Sequence, residues 1–511
     1  MKLLGKQAAV AALLLYYSSA AAQDTTSPPA SSSSAAPCPN ALTPSYSPPI
    51  AADGWRAQLI ATGLSFPRSI KVDSNGALIV VEAGFGITHL TLDDNGGTCL
   101  SVSRSRTLVR DRNRQLNHGL ELSEDGRTLY ASSTENVYSW TYDPDEVAVR
   151  DQRTLVRISP NGGHETRTLL LSQRQPGLLL ISQGSDGNID PEAADRTSGI
   201  SQIRAFNVAN MTDTTQPYDY AADGLLIGWG LRNSVGVAEH PVTGGIWSVE
   251  NSADQIGRRG QDIHEDNPGE ELNFHGYLND TSTLGANHGY PYCFALWNTS
   301  SMVERGDLGV GDQFVIDGRN SNPEVTDETC ARDYTPPRLT FRAHMAPLDI
   351  KFPPSDGSRA FISFHGSWNR DQMAGYKVSS VFFSSSTGQP TEPPDSITAV
   401  VDILSSPDLS ACPRACFRPT GMVFDPRVEG RLFVTSDDTG EILVLQQTGP
   451  GPAPTSTWSG TVTTPTGGGA GPTSSDSAAP GLRRDGSLEG WVVLGLTVAV
   501  AAVGAVFMVV G

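Results

Sequence analysis

Side chains that could bind an anion or move a proton recur at equivalent places in the sequence. Each stands just before or at the start of a short apolar segment: Arg68, Asn117 with His118, Arg232 with Asn233, His344, and Arg418. Taken singly, a buried histidine is more often a hydrogen-bonded core residue, and a loop arginine usually forms a salt bridge. If these arginines converge, they can bind a small polyanion, because guanidinium groups pair with carboxylates in bidentate fashion. A histidine beside them can act as a base near neutral pH.

The segments that must position these side chains repeat one pattern. A short polar start is followed by an apolar strand, a turn rich in Asp, Pro and Gly, and a second strand rich in Val, Ile, Leu and Phe. Five copies are clear: FPRSIKVDSNGALIVVEAG, LNHGLELSEDGRTLYASST, LRNSVGVAEHPVTGGIWSVEN, MAPLDIKFPPSDGSRAFISFHG and RPTGMVFDPRVEGRLFVTSDD. A hairpin repeated at wide spacing is typical of a β-propeller, in which the first strand of each blade lines a central channel. The sequence therefore predicts an all-β fold in which the polar strand starts face one mouth of the channel.

The number of blades follows from the gaps between these hairpins. Two gaps are long enough for a further blade. The segment GGHETRTLLLSQRQPGLLLISQGSDGNID fills the first gap well, and the region 264–298 fills the second less well. We predict a six-bladed β-propeller, with five or seven blades as alternatives.

Composition divides the chain into five parts. Residues 1–22 have a basic start, an apolar run and small residues before Gln23, which is typical of a secretory signal peptide. Residues 23–50 are rich in Ser, Pro and Ala, and residues 448–490 are rich in Gly, Pro, Ser and Thr, so we expect both to be O-glycosylated linkers. The folded unit is then residues 51–447.

The C-terminal segment 491–511 is apolar and uncharged. It is long enough for a transmembrane helix, since about 20 apolar residues cross a bilayer. It also matches a GPI-attachment signal, in which small residues, a polar spacer and an apolar tail are removed together. Because nothing basic follows the tail, we favour GPI attachment at Ser477 or a neighbour. Both alternatives predict a protein at the outer cell surface, in contact with the membrane only through this anchor.

Cysteine content and charge agree with secretion. Six cysteines allow 15 pairings, and sequence proximity favours Cys412–Cys416 and Cys293–Cys330 as disulfides. No second close Cys/His pair accompanies Cys412 and Cys416, which argues against zinc. The net charge of -19 argues against nucleic acid as a partner, because nucleic-acid-binding proteins need a basic surface. Three N-x-S/T motifs predict glycosylated surface loops: Asn210, Asn279 and Asn298.

An ordered set of short motifs resembles one family of enzymes. The motifs are FPRSIKVD, LNHGLELSEDG, GSDGNID, GLRNSVG, NHGYPYCFALWN, HMAPLDIKF, FHGSWNR and RPTGM. Over residues 51–447 the chain resembles the fungal pyrroloquinoline quinone (PQQ) dependent pyranose dehydrogenases. These are relatives of bacterial soluble glucose and aldose dehydrogenases and of sorbosone dehydrogenases. The resemblance implies an extracellular oxidoreductase that uses PQQ to oxidise the anomeric or aldehyde carbon of a pyranose, an aldose or a keto-aldehyde sugar.

The resemblance also implies roles for the residues at the strand starts. His118 matches the catalytic base, which removes the proton of the anomeric hydroxyl as hydride passes from the sugar carbon to PQQ. Arg232 matches the arginine that stabilises negative charge on a quinone oxygen, with Asn233 beside the cofactor. Arg418 matches a partner of a cofactor carboxylate. The other implied cofactor contacts are Arg68, Trp368, Asn369 and Arg370, with His344 beside them.

The resemblance further implies a Ca²⁺ ion on the quinone, held largely by backbone oxygens and acting as a Lewis acid. The matching segment is VENSAD, so Asn251 and Ser252 are the candidate ligands. Without the resemblance, this segment is equally well explained as a surface turn.

The chain differs from the bacterial relatives at the predicted site, and two other functions compete with the dehydrogenase. Bacterial glucose dehydrogenases have a lysine where this chain has Trp368 or Asn369, which predicts a different sugar preference. No haem-type domain or cellulose-binding module is recognisable, so we expect a separate electron acceptor, such as a cytochrome or a copper-oxidase-type protein. The alternatives are a calcium-dependent hydrolase such as a lactonase, which would need several carboxylates on the ion, and a non-catalytic surface binding module.

Overall fold

A computed structural model describes most of the folded unit. The described residues are Cys38, 41–113, 115–209, 211–212, 214–318 and 321–453. The predicted signal peptide 1–22, the glycosylation site Asn210, the attachment residue Ser477 and the segment 491–511 lie outside them. In the part of the chain that is described, no helix is long and apolar enough to cross a membrane.

The described chain is a six-bladed β-propeller, as the repeated hairpins predict. Each blade has four antiparallel strands at its centre, with the first strand innermost in the ring. Two strands precede the first blade: β1 (Ile50–Ala51) and β2 (Trp55–Ala61). Blades 1 and 2 contain β3 (Pro67–Val72), β4 (Leu78–Glu82), β5 (Gly86–Asp94), β6 (Leu100–Arg110), β7 (Leu116–Leu122), β8 (Thr128–Ser133), β9 (Asn136–Asp143) and β10 (Ala148–Arg157).

Blades 3 and 4 carry additional short elements. Blade 3 contains β11 (Leu169–Leu171), β12 (Leu178–Gln183), β13 (Gln202–Asn207) and β15 (Leu225–Trp229), and β14 (Tyr218–Asp219) pairs with β10. Blade 4 contains β16 (Ser234–Glu239), β17 (Gly245–Glu250), β20 (Glu270–Tyr277) and β24 (Leu339–Phe341). The short elements are β18 (Gly257–Arg258), β19 (Gln261–Asp262), β21 (Ala286–Asn287), β22 (Cys293–Ala295), β23 (Gln313–Val315), α1 (Tyr220–Asp223), α2 (Asp327–Asp333) and the 3₁₀ helices Pro191–Ala194 and Thr281–Thr283.

The last two blades complete the ring. Blade 5 contains β25 (Pro347–Lys351), β26 (Arg359–Phe364), β27 (Lys377–Phe382) and β28 (Val401–Ser405), with β1 at its outer edge. Blade 6 contains β29 (Pro419–Phe424), β30 (Arg431–Ser436) and β31 (Glu441–Gln447), preceded by the 3₁₀ helix Leu409–Ala411. Its outermost strand is β2, which comes from the other end of the folded unit and pairs with β31. Both ends of the folded unit therefore close the ring.

Apolar clusters fill all six spaces between neighbouring blades. Between blades 4 and 5, for example, the Trp247 ring packs edge-on against Phe383, with 5.1 Å between the ring centroids. Because both faces of every blade are buried in this way, the ring has a continuous hydrophobic core around its channel.

The two gaps between the predicted hairpins have different outcomes. The hairpin in the first gap is confirmed as β11 and β12 of blade 3. The region 264–298 is not a separate blade. Its strand β20 is the third strand of blade 4, where it pairs with β17.

Segments 186–200, 251–269, 288–318 and 321–338 together form what we call the cap. They share an apolar core that includes Ala253, Tyr290 and Phe314. The cap adjoins the end of blade 4 at which β16 starts, because segment 251–269 directly follows β17.

All six cysteines form disulfides. The predicted pairs Cys412–Cys416 and Cys293–Cys330 are confirmed, and the remaining pair is Cys38–Cys99.

The predicted glycosylation sites differ in exposure. Asn279 is exposed, whereas Asn298 in the cap is half-buried and its Nδ2 donates to Asp266 Oδ2 at 3.0 Å.

Candidate active site

The starts of the innermost strands meet at one mouth of the channel, because every blade places its first strand innermost and runs it in the same direction. In five blades the pairing of this strand with the second strand is irregular near its start. Such bulges redirect side chains out of the regular alternation. Arg68 lies in the bulge of β3 and His118 in that of β7, while Arg232 and Asn233 directly precede β16 and Arg418 directly precedes β29.

A hydroxyl on the second strand holds the bulge of β7. The backbone N–H of Gly119 donates to Ser132 Oγ at 2.8 Å, and this hydroxyl donates to the carbonyl of Arg167 at 2.6 Å. A Cβ at residue 119 would stand 2.3 Å from that same carbonyl. The glycine after His118 is therefore required by the close approach of blade 3.

Asp437, in the turn after β30, connects several of the predicted site residues. Its Oδ2 accepts a hydrogen bond from Nη1 of Arg68 at 2.5 Å, and its Oδ1 lies 2.8 Å from Nε2 of His365. Arg68 also donates from Nε to Nδ1 of His118 at 3.2 Å. Arg418 completes the group, with Nη2 at 2.9 Å from Nδ1 of His365. These residues, with Asp438 as the carboxylate partner of Arg418, are called the Asp437 cluster below.

Burial and charge fix the ionisation of this cluster. Burial lowers the pKa of His118 well below 6.5, and the positive charges of Arg68 and Lys351 lower it further, against the opposing effect of Asp437. Burial would raise the pKa of Asp437, but the nearby His365 and Arg68 outweigh it and lower that pKa. The structure therefore holds a neutral imidazole beside an ionised carboxylate.

Arg232 is the centre of a second group of side chains. Its Nε and Nη2 donate to the backbone and side-chain oxygens of Asn188 at 3.0 and 2.9 Å, and Nη2 also pairs with Oδ2 of Asp254 at 3.1 Å. Its Nη1 donates to the carbonyl of Asn251 at 3.2 Å, and its backbone N–H donates to Glu250 at 2.8 Å. Arg232 is only 5% exposed, so these bonds fix its guanidinium rigidly.

His344 and Asn369 join the same group through Asp254. Nδ1 of His344 lies 3.5 Å from Oδ1 of Asp254, and Nδ2 of Asn369 donates to that oxygen at 3.4 Å. Burial would lower the pKa of His344, but the hydrogen bond to Asp254 and the charge of Glu270 raise it. His344 also has a φ of 62°, a left-handed conformation that non-glycine residues adopt mainly where the surroundings enforce it.

The loop after β26 connects the two groups. His365 belongs to the Asp437 cluster, and Asn369 contacts Asp254. Between them, Trp368 is 65% exposed. Arg370 is instead turned into the cap, where it pairs with Asp266 Oδ1 at 3.1 Å. The structure thus brings every predicted residue to this end of the ring, but it commits Arg370 to holding the loop against the cap.

Three buried carboxyl groups lie beneath the mouth. Glu270 accepts hydrogen bonds from the backbone N–H groups of Ser252 at 2.8 Å and Ala346 at 3.0 Å, so it ties a loop of blade 4 to a loop of blade 5. Burial raises the pKa of Glu250 and Glu270, and raises that of Glu271 to about 7. Neighbouring carboxylates add to the shift in each case.

The oxygens at the predicted calcium site are partly engaged. The carbonyl of Asn251 already accepts a hydrogen bond from Arg232, and a cation at this oxygen would compete with the guanidinium. Within the described residues, the His and Asp side chains close enough to share one ion are His365, Asp437 and Asp438. Arg68 and Arg418 neutralise those two carboxylates.

Several residues of the site were missed by the sequence analysis: Asn188, Asp254, His365, Asp437 and Asp438. All five follow the second strand of a blade, which returns to the same mouth at which the first strand starts. The signal was present, because GSDGNID directly follows a second strand and VENSAD, FHG and TSDD each span the end of one. The resemblance pointed to other residues after two of these strands, Trp368, Asn369 and Arg370 after β26 and Asn251 and Ser252 after β17.

Comparison with known proteins places the chain in a family. Residues 49–448 match the TrAA12-like family model. A "Pyrroloquinoline quinone-dependent sugar dehydrogenase" of Hypocrea jecorina (strain QM6a) is 53% identical over 410 residues, covering 80% of this chain and 91% of that protein. A "Pyrroloquinoline quinone-dependent pyranose dehydrogenase" of Coprinopsis cinerea is 36% identical over 423 residues, covering 80% of this chain and 56% of that protein.

Solved structures agree with this placement. The "calcium structure" of Trichoderma reesei Carbohydrate-Active Enzymes family AA12 is 54% identical, with a TM-score of 0.77 over 80% of this chain and 99% of that chain. The holo form of the Coprinopsis cinerea pyranose dehydrogenase PQQ domain has a TM-score of 0.73 at 36% identity, over 80% and 99% of the two chains. The chain described here belongs to the TrAA12-like family.

Proposed function

We propose that this protein is a PQQ-dependent sugar dehydrogenase that oxidises the anomeric or aldehyde carbon of a pyranose, an aldose or a keto-aldehyde sugar. The proposal rests on the side chains at the mouth of the channel. There a neutral buried histidine stands beside arginines, in a chain whose 53% identical relative is named a PQQ-dependent sugar dehydrogenase.

The residues at the mouth fit a planar quinone that bears several carboxylates. Arg68 and Arg418 have side chains 14% and 15% exposed, so both can reach an anion in the mouth. Nη2 of Arg68 has no hydrogen bond within the described residues. The exposed ring of Trp368 offers a flat apolar surface for stacking.

Each side chain at the mouth then has a separate proposed role in binding the cofactor or in catalysis. Arg68 and Arg418 bind carboxylates of the cofactor, Trp368 stacks on it, and Asn233 and Asn369 contact its polar edge. His118 accepts the proton of the sugar hydroxyl, which its neutral state allows. Bound PQQ supplies the acceptor for the hydride, and the fixed guanidinium of Arg232 stabilises negative charge that develops nearby.

The proposal includes a Ca²⁺ ion bound by the backbone oxygens of Asn251 and Ser252. Carbonyl oxygens are the ligand type that this ion prefers. Support comes from a structure of the Trichoderma reesei relative described as a calcium structure. Because the carbonyl of Asn251 already accepts a hydrogen bond from Arg232, the ion would share this oxygen with the guanidinium.

The cellular setting is proposed from the sequence alone. It comprises a cleaved signal peptide at 1–22, glycosylated linkers at 23–50 and 448–490, and surface attachment through a GPI anchor or a single C-terminal helix at 491–511. The first linker is joined to the propeller by the Cys38–Cys99 disulfide, and its last residue, Ile50, begins β1. Electrons would pass to a separate acceptor protein. A calcium-dependent hydrolase is not favoured, because Asp254, Asp437 and Asp438 are each paired with an arginine at the mouth.

Titration with PQQ tests the proposal. We expect the purified protein with Ca²⁺ to bind PQQ at micromolar concentration or below, and the complex to reduce a dye with aldoses or keto-aldehydes as electron donors. Arg418→Met should weaken PQQ binding, whereas Arg427→Met, which removes an arginine at the far end of the ring, should not. A protein that binds no PQQ under these conditions is not this enzyme.

A further inference from the structure

The hydrogen bond between Arg68 and His118 constrains the proposed base. Nε of Arg68 donates to Nδ1 of His118 at 3.2 Å, while Nη1 of Arg68 is held by Asp437 at 2.5 Å. A guanidinium group has donors only and no acceptor. Nδ1 of His118 must therefore be the acceptor, with its lone pair turned to Arg68.

A neutral imidazole carries one proton, so the proton of His118 is on Nε2. The charged groups facing this ring come from three blades: Arg68 of blade 1, Lys351 of blade 5 and Asp437 of blade 6. Two of the three are cations, and together with burial they lower the pKa of His118. The ring is then neutral and has one fixed tautomer.

In this tautomer neither ring nitrogen of His118 is available to accept a proton. A base must present an unoccupied lone pair to the hydroxyl whose proton it takes. In this structure Nε2 carries hydrogen, and Nδ1 is bonded to Arg68. One of these two conditions must change before His118 can accept a proton.

We infer that Arg68, positioned by Asp437, holds His118 in the Nε2–H tautomer, and that an anion that pairs with Arg68 frees Nδ1 to accept a proton. The inference rests on the proposed function, because a carboxylate of the cofactor is the anion concerned. Proton transfer to Nδ1 then gives an imidazolium with hydrogen on both nitrogens. Arg68 is thus a positioning residue that couples occupancy of the anion site to the basicity of His118, and Asp437 acts through Arg68.

The coupling follows from the geometry of Arg68. Its remaining donors at Nη2 have no hydrogen bond within the described residues, and its side chain is 14% exposed. A carboxylate that binds a guanidinium in bidentate fashion takes two parallel N–H groups. A pairing that includes Nε removes the donor that holds Nδ1 of His118.

Nuclear magnetic resonance of the full chain with ring-¹⁵N-labelled histidine tests the tautomer directly, since protonated and unprotonated ring nitrogens differ widely in chemical shift. The signals of His118 are identified by their loss in His118→Ala. In the free protein we expect Nε2 to be protonated and Nδ1 unprotonated. Protonation of Nδ1 in the free neutral state would overturn the inference.

Two matched variants isolate the role of Arg68. Arg68→Met removes the donor to His118, so the pKa of His118 should rise and its single tautomer should be lost. Arg418→Met removes a guanidinium of the same Asp437 cluster that makes no bond to His118, and it should leave the tautomer as it is in the wild type. Equal effects of the two variants would show that general charge, and not the Arg68 bond, sets the tautomer.

Addition of PQQ tests the coupling. In the wild type, the ¹⁵N signals of His118 should move towards those of Arg68→Met, with no such movement in Arg68→Met itself. Bound PQQ with an unchanged Nε2–H signal in the wild type would overturn the coupling. Absence of any PQQ binding would instead count against the proposed function, while the tautomer in the free protein is decided by the first measurement.

Discussion

His118 shows how its surroundings decide what a residue can do. A solvent-exposed histidine would be partly charged near pH 6.5. At the mouth, burial and two neighbouring cations keep it neutral, while His344 has the opposite shift because Asp254 and Glu270 favour its charged form. The pKa values of two histidines of one site are thus shifted in opposite directions, and His118 is the one held neutral, as a proton acceptor must be.

Replacement of His118 by alanine tests the proposed base. We expect His118→Ala to lower turnover by about 10²- to 10⁴-fold, the usual contribution of general base catalysis. PQQ binding should be largely retained, because Arg68 and Arg418 remain. Steady-state kinetics and a PQQ titration separate the two effects. His240→Asn is the control, since His240 is a buried histidine at the opposite end of blade 4, and loss of turnover there too would point to misfolding.

The buried carboxyl group of Glu271 predicts a pH dependence of stability. Its pKa is raised from 4.5 to about 7 by burial first, and also by Glu270. Between these values the folded state binds more protons at Glu271 than the unfolded state, so the contribution of Glu271 to stability is greatest below pH 4.5 and falls as the pH rises to about 7. Glu271→Gln should flatten this dependence. The difference in unfolding free energy between Glu271→Gln and the wild type should be up to about 3 kcal/mol more favourable to the variant at pH 8 than at pH 4.

Denaturant unfolding at the two pH values measures this difference. Glu124→Gln provides the control, because Glu124 is an exposed carboxylate in the turn between β7 and β8. Parallel pH profiles for wild type and Glu271→Gln would exclude Glu271 as the source.

At the scale of elements, the site is made by strand ends and by the loops that join them. The first strands supply Arg68 and His118 from bulges, and the turns after second strands supply His365 and Asp437. The cap fixes Arg232 through Asn188 and holds the loop of Trp368 through Arg370. Insertions in blades 3 and 4 therefore stabilise one side of a mouth that the regular blades only outline.

The disulfide Cys293–Cys330 should stabilise the cap more than Cys412–Cys416 stabilises its turn. The first closes a loop with a sequence separation of 37 and the second one of only 4. Loop-closure entropy then predicts losses of about 4 and about 2 kcal/mol when each pair is replaced by serine. Thermal unfolding of the two double variants gives the comparison, and limited proteolysis should cut the first variant within 288–338. An equal effect of both replacements would mean that loop length does not control the stabilisation.

At the scale of the whole molecule, the propeller depends on the pairing that closes the ring. Strand β2 from the start of the folded unit completes blade 6, and the Trp55 ring of this strand packs on Phe361 of blade 5 with 5.6 Å between centroids. Trp55 is 5% exposed and lies within the apolar cluster between blades 5 and 6. The last two blades therefore depend on residues that come first in the sequence.

Trp55→Ala should lower the free energy of unfolding by about 3–5 kcal/mol, the usual loss for a large buried aromatic side chain. Trp368→Ala is the matched control, because Trp368 is 65% exposed and its removal should change stability by less than about 0.5 kcal/mol. Chemical denaturation of both variants measures the contrast. The same control should weaken PQQ binding, which separates the structural tryptophan from the proposed ligand-binding one.

The blades and the polar positions at their strand starts could be predicted before folding is considered, because both are local patterns of strand, turn and strand. These patterns predict six blades, the channel mouth and the side chains Arg68, His118, Arg232 and Arg418, while the sequence proximity of the cysteines predicts two disulfides. The polar turns after second strands could have been found in the same way.

Which of these side chains touch depends on the folded ring. Arg68 and Asp437 are 369 residues apart in sequence, and they meet because closure of the ring makes blades 1 and 6 neighbours. The cap has no repeat from which its position could be predicted, so the burial of Arg370 and the bonds of Arg232 were not foreseeable. The tautomer of His118 likewise depends on a donor from another blade, because the direction of a hydrogen bond is set by packing and not by local sequence.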